Sequence, residues 1–306
     1  MGEAHRIASP GRTGEFGGDN GLVFDGFDFH RASNGIALWV GGTGPALLLL
    51  HGYPQTHVMW HAVAPLLARN FTVVVGDLPG YGASEAPPVA ADHVPHSKRA
   101  WAAQFVAAMD ELGFDRFAVC GHDRGGRVAY RMALDHPRRV SRVAVLDIVP
   151  TVEMYETADR DFGFGYWHWF FLPQPAPYPE TLIGHDPDAF FEGSLMKVTT
   201  FAPEALEAYR FSWRRPHTIE AMCEDYRAGF GIDSELDRFD RESGRKITMP
   251  LLVLWGSRGV IDKWYEPLQL WARWAEDVSG AAVDATHFLA EDQPDEVARR
   301  LLKFLQ

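Results

Sequence analysis

The strongest constraint on this chain is a series of short, unbroken apolar runs, each ending in a small or charged residue. Residues 46–50, 71–75, 117–120, 143–146 and 251–255 carry almost no polar side chain, and the first two end in His51-Gly52 and Gly76-Asp77. Strands buried on both faces of a parallel sheet read this way, whereas strands with one wet face alternate. Helical patterns at 100–111 and 125–134 lie between the runs. The alternation predicts an α/β protein with a mostly parallel, doubly wound sheet. Residues 27–29 and 36–40 alternate instead, and Ser33-Asn34-Gly35 between them predicts an antiparallel hairpin entering the sheet. From 151 to about 247 the pattern breaks into aromatic segments punctuated by Pro173, Pro175, Pro177 and Pro179, which predicts an inserted helical cap. The core is then 21–150 with 248–306, the cap is 151–247, and the Gly-rich, charged residues 1–20 form a mobile tail. No fixed-period repeat points to a solenoid or propeller.

Bulk properties narrow the partners. The 306 residues suffice for one large domain with an inserted lobe. The formal net charge is -12 with no basic run beyond pairs such as Arg138-Arg139, which disfavours nucleic acid and anionic membrane as partners. A small anionic substrate stays open, because local arginines set the field inside a pocket. Cys120 and Cys223 stand far apart, so a disulfide framework is not expected and the cytoplasm is the natural compartment. There is no apolar stretch of about eighteen residues and no charged-then-apolar order of a secretory signal.

Gly121-His122-Asp123-Arg124-Gly125-Gly126 follows a buried strand and precedes a helix, the context of a nucleophile elbow. Small residues flank the central position because the tight turn pushes that side chain outward and brings backbone against backbone. Here the residue is Asp. A carboxylate is already charged at neutral pH and suits attack on an sp³ carbon bearing a leaving group; hydrolysis of the resulting ester then needs a base. Alone, Asp123 could instead cap its helix. His51-Gly52-Tyr53-Pro54, after another buried strand, offers backbone N–H donors to a developing oxyanion. His287, before a terminal helix, can supply the base, and Asp147, directly after a strand, can orient it. His51 could be a core histidine and Asp147 a helix cap, but the ordered set of nucleophile, acid and base is hard to explain that way.

These segments, with Asp77-Leu78-Pro79-Gly80-Tyr81-Gly82 and Tyr166-Trp167-His168-Trp169, give a chain that resembles the α/β-hydrolase superfamily from about residue 27 to the C-terminus. More narrowly it is similar to the fluoroacetate (haloacetate) dehalogenases and their epoxide-hydrolase relatives. The resemblance implies the α/β-hydrolase fold. It also implies that Arg124 and Arg127, which on an emerging helix reach one end of the pocket, grip a substrate carboxylate. Arg127 could otherwise pair with a buried acid, and Arg131, Arg138 and Arg139 read as surface residues. By the same resemblance His168, Trp169 and Tyr226 donate to the departing halide, as expulsion of a poor leaving group such as fluoride requires. Many relatives carry the triad acid after the later strand, where Gly256-Ser257-Arg258-Gly259 offers none. Asp147 therefore takes the role, with Asp262 as second choice.

The expected reaction is hydrolytic dehalogenation of a small 2-haloacid through an aspartyl ester, with no metal or organic cofactor. His93 and His96, in a Pro-containing loop without a third ligand, are a weak metal signal. One alternative is an epoxide hydrolase that uses the same Asp123 and His287, with Tyr226 and Tyr166 protonating the alkoxide. Another is a silent ligand sensor on the same fold. The aromatic cap could also cover a homodimer surface.

Overall fold

The computed structural model describes residues 26–196 and 201–306; the expected tail at 1–20 lies outside them. Eight strands form one sheet: β1 (Phe27–Arg31), β2 (Ala37–Gly41), β3 (Ala46–Leu50), β4 (Thr72–Gly76), β5 (Phe117–His122), β6 (Val140–Leu146), β7 (Leu251–Gly256) and β8 (Val278–Val283), in spatial order β1-β2-β4-β3-β5-β6-β7-β8. The hairpin β1–β2 is antiparallel, and β2 joins β4 antiparallel. From β4 to β8 every pairing is parallel.

The unbroken apolar runs occupy the middle. Every residue of β3, β5 and β7 is buried, so both faces are covered by helices and each large side chain contributes about 1.5–3 kcal/mol of burial. Strand β8 is mostly half-buried, and its Ser-Gly-Ala-Ala centre is an edge sequence that lacks the bulky apolar signature.

Chain reversals place the ends of β3, β5, β6 and the loop after β8 on one rim, where open parallel sheets hold ligands. The helix Asp123–Asp135 leaves β5 and packs on the sheet beside the helix Lys98–Glu111. Between β6 and β7 the chain is helical, from Thr151–Glu156 through Pro203–Trp213 and Pro216–Ala228 to Ser234–Glu242. This insertion carries no strand among the described residues.

The insertion is fastened by buried charge. Arg131, expected at the surface, is 2% exposed, with Nη2 2.7 Å from Asp237 Oδ1 and Nη1 2.5 Å from Asp240 Oδ2. The helix Ser234–Glu242 covers what would otherwise be the polar face of the elbow helix, so the arginine is sealed between them. Arg138 is exposed as expected, and the half-buried Arg139 pairs with Asp110. Both cysteines are buried and free.

Candidate active site

Strand β5 ends at His122 and the helix begins at the next residue, so Asp123 stands at the turn itself, with φ of 43°. That left-handed conformation costs an L-residue about 1–3 kcal/mol and persists only where the surroundings over-determine it. They do so here: a Cβ on Gly121 would lie 2.2 Å from the Gly125 carbonyl oxygen, and one on Gly125 2.3 Å from that of His51. The Asp123 carboxylate caps no amide of its own helix. Its Oδ2 accepts the Tyr53 N–H at 2.9 Å, while Oδ1 has no hydrogen-bond partner among the described residues. Burial opposes ionisation, but His287, Arg127 and Arg124 outweigh it and lower the pKa of Asp123.

His287 sits in the loop after β8, with Nδ1 2.6 Å from Asp147 Oδ2. Asp147, at φ of 54° directly after β6, is fixed in turn, its Oδ1 accepting the Gly256 N–H at 2.8 Å. A proton on Nδ1 shared with this carboxylate leaves His287 Nε2 as the basic lone pair. Burial lowers the His287 pKa, yet the hydrogen bond and charge of Asp147 and the charge of Asp123 leave it raised overall. Asp262 instead accepts the Trp255 indole N–H at 2.6 Å. Of the two carboxylates considered for the acid, only Asp147 lies beside His287. His122 was not singled out by the sequence, but its Nε2 donates to the His287 carbonyl oxygen at 2.8 Å and ties the base loop to the elbow.

Asp123, Asp147 and His287 line a cavity of about 220 Å³ together with Tyr53, Arg127, Tyr166, His168, Trp169 and Tyr226. Sites for drug-sized ligands run to roughly 300–1,000 Å³, so a small molecule fits. Met154, Val260 and Phe288 complete apolar parts of the wall, which no motif marked.

The two arginines differ. Arg127 is 1% exposed and bonds only neutral partners: Nη1 donates to Val149 O and Thr151 Oγ1 at 3.1 Å each, and Nη2 contacts Met154 Sδ at 2.9 Å. Its Nε has no partner, and no carboxylate pairs with it among the described residues. A buried cation without a counter-charge is costly unless an anion completes it. Arg124 was expected to reach the pocket alike, but it lies outside the cavity wall. Its Cζ sits 4.2 Å from the ring centre of Tyr226, and Asp225 takes its Nε at 2.9 Å and Nη2 at 2.6 Å. Only Nη1 is left unpartnered.

The aromatic donors come from the insertion. His168 is 7% exposed with Nδ1 unpartnered, and burial lowers its pKa to about 3, so the ring is a neutral imidazole. The Trp169 ring lies 4.6 Å from Arg127 Cζ, and its indole N–H has no acceptor among the described residues. Burial and the Asp123 charge push the Tyr226 phenol well above its ordinary pKa, so it remains a donor.

His51 is a correction. Its Nε2 accepts the Leu78 N–H at 2.9 Å, Nδ1 therefore donates to Gly52 O at 2.9 Å, and burial lowers its pKa to about 4. The ring braces the loop and does not line the cavity; the loop's contribution there comes from Tyr53 and Pro54. His93 pairs with Glu224, and His96 Nε2 contacts Pro87 O, so the two histidines serve separate partners.

A family model described as the alpha/beta hydrolase fold matches residues 45–294. A fluoroacetate dehalogenase of Burkholderia sp. is 49% identical over 92% of this chain and 95% of that protein. A soluble epoxide hydrolase of Corynebacterium sp. (strain C12) is 31% identical over 86% of this chain and 91% of that one. Among solved structures, a Nostoc sp. PCC 7120 protein assigned to the α/β hydrolases superposes with a TM-score of 0.90 at 47% identity, covering 93% of this chain and 99% of that chain. With its sheet order, its elbow and these relatives, the chain belongs to the α/β-hydrolase family, in the branch that holds a fluoroacetate dehalogenase and a soluble epoxide hydrolase.

Proposed function

We propose that this protein hydrolyses small 2-haloacids, haloacetates including fluoroacetate, to 2-hydroxyacids through an ester on Asp123. The observation that carries this reading is that a free carboxylate oxygen of Asp123 and the guanidinium of Arg127, with which no carboxylate pairs among the described residues, share one small aromatic cavity. A neutral substrate would leave that cation unpaired; a haloacid supplies both the missing anion and the electrophilic carbon. The similarity to a fluoroacetate dehalogenase supports the same class of substrate.

The substrate carboxylate pairs with Arg127, which holds the α-carbon near Asp123. Asp123 Oδ1 attacks that carbon from the side opposite the halogen. The carbon–halogen bond breaks with its electron pair on the halide, which His168, Trp169 and Tyr226 receive by hydrogen bonding. His287 Nε2 then takes a proton from water, and the hydroxide adds to the Asp123 carboxyl carbon. The oxyanion formed on Oδ2 meets the Tyr53 N–H, the same donor that holds that oxygen in the resting site. Collapse expels the 2-hydroxyacid, which recovers its proton from His287; Asp123, one oxygen of which now comes from water, loses the remaining water proton to solvent and is again a carboxylate. Alkylation also removes the Asp123 charge that helps raise the His287 pKa, so the base is neutral when it is needed. Residues 151–247 act as the cap that closes the cavity.

The test is release of halide from fluoro-, chloro- and bromoacetate, run beside styrene oxide. Halide release without ring opening is expected; ring opening without halide release would reverse the assignment. That second outcome has its own support, since the phenols of Tyr53, Tyr166 and Tyr226 all line the cavity without an acceptor among the described residues, and one relative is a soluble epoxide hydrolase.

A further inference from the structure

His122 makes a contact that the roles of nucleophile, acid and base leave unexplained. It is the last residue of β5, fully buried and next in sequence to Asp123, and its ring centre lies 4.6 Å from that of His287. Burial and the neighbouring His287 lower its pKa to about 3, so the imidazole carries one proton. That proton sits on Nε2, which donates to the His287 carbonyl oxygen at 2.8 Å. Nδ1 is left bare and without a partner, against the backbone of Gly52, where a Cβ would lie 2.8 Å from it. A buried nitrogen left unsatisfied is destabilising, and here it accompanies a bond to the backbone carbonyl of the base itself. Other anchors hold the loop just before that carbonyl: Ala285 O accepts the Arg258 N–H at 3.0 Å, and the Thr286 N–H donates to Asp292 Oδ2 at 2.7 Å. The His287 carbonyl accepts from His122 alone among the described residues. The charge of Asp123 acts on His287 only until alkylation removes it. From then on covalent geometry and hydrogen bonds set the distance from base to ester, and the shortest such path runs from Asp123 through its neighbour His122 to the His287 carbonyl.

We infer that His122 is a positioning residue for the second step: its Nε2–H bond to the His287 carbonyl keeps the imidazole at the distance from Asp123 at which one water molecule fits between base and ester. This rests on the aspartyl ester proposed above, and not on which leaving group its formation expels. The base must reach that water within about 2.6–3.2 Å, and a displacement of about 1 Å can cost ~10²-fold in rate. Ester formation draws on Asp123 and not on His287, so it does not need the bond.

The experiment compares His122→Asn and His122→Gln with the parent, in single turnovers of chloroacetate. Rapid quench, with the mass of the peptide containing Asp123, gives separate rate constants for ester formation and ester hydrolysis. The Gln amide nitrogen stands as many bonds from Cβ as imidazole Nε2, and the Asn amide nitrogen stands one short, so only Gln can offer its N–H at the same reach. In His122→Asn, ester hydrolysis is expected to fall about 10²-fold while ester formation stays within about threefold of the parent, so the ester accumulates. In His122→Gln, hydrolysis is expected to recover to within about tenfold of the parent. Unchanged hydrolysis in His122→Asn, equal losses in both steps, or hydrolysis no faster in a folded His122→Gln than in His122→Asn would overturn the inference. Should His122→Asn not fold, His122→Phe, which fills the place of the ring without a donor, is read in its stead. If the parent opens styrene oxide and releases no halide, the haloacid reading fails, and the same two rate constants measured with the epoxide still decide this one.

Discussion

Replacing Arg127 by Met separates substrate recognition from folding. The guanidinium makes its hydrogen bonds to a carbonyl, a hydroxyl and a thioether, so its removal strands no buried acid among the described residues. Methionine keeps much of the stem against Trp169, whose ring lies 4.6 Å from Arg127 Cζ. The loss of that cation–π contact, about 0.5–2 kcal/mol, is offset by relief of a buried charge with which no carboxylate pairs. Stability should therefore change by no more than about 1 kcal/mol, or ~2 °C in Tm for a chain of this size. The effect on a haloacid is far larger. Truncating one partner of a buried charge pair costs about 2–5 kcal/mol, which at 1.4 kcal/mol per decade is roughly a 30- to 4,000-fold loss in kcat/KM. Halide release from chloroacetate measures it, and chloroacetamide, of similar shape but uncharged, serves as control. The account expects the acid-to-amide preference to collapse in the variant. A kcat/KM for chloroacetate within twofold of the parent would refute the reasoning, because Arg127 would then not be the cation that the substrate completes.

Three further outcomes follow from the same geometry. His287 must be neutral to take a proton from water, so turnover is full above the His287 pKa in the ester and lost as pH falls through it; that pKa lies below the raised one of the free protein because alkylation removes the Asp123 charge. Asp123, whose pKa is lowered, stays ionised at lower pH, so below the His287 pKa of the ester the protein should release one equivalent of halide in a burst and then stall, as rapid-quench kinetics would detect; slow, burst-free release would contradict this. Trp169→Phe keeps an aromatic ring beside Arg127 but deletes the indole donor. Turnover of fluoroacetate should fall about 10²-fold and that of bromoacetate only a few-fold, and equal losses would remove Trp169 from leaving-group stabilisation. Arg131→Met leaves buried Asp237 without its cation, while Asp240 keeps Arg245 at 3.1 Å; this should cost about 3–5 kcal/mol and lower Tm by roughly 6–10 °C with little change in KM, measurable by calorimetry and steady-state kinetics.

The parts of the molecule that sequence made legible are those whose physics is local. Strands β3 to β7 announce themselves because burial on both faces leaves no room for polar residues, and the elbow does so because its turn admits only glycine at Gly121 and Gly125. Strand β8 is quieter, since an edge strand can be built from Ser, Gly and Ala. What sequence could not reveal depends on which side chains distant segments bring together. Arg131 lies on a helix face that reads as polar and becomes interior only once the insertion lands on it. Arg124 and Arg127 look equivalent along the chain, yet Asp225, a hundred residues away in the insertion, engages one and not the other. His51 follows a buried strand as a pocket residue would, but the loop turns its ring inward to Leu78. Asp123 and His287, by contrast, are marked by the elbow motif and by the order of nucleophile, acid and base along the chain, and both line the cavity.

The covalent step can be tested at a single atom. In a single turnover of chloroacetate with protein in excess, carried out in ¹⁸O-labelled water, the account predicts that the heavy isotope enters the carboxylate of Asp123, detected in the peptide that contains it, while the glycolate formed carries the original protein oxygen. Label found wholly in glycolate, with Asp123 unaltered, would mean that water attacks the substrate directly.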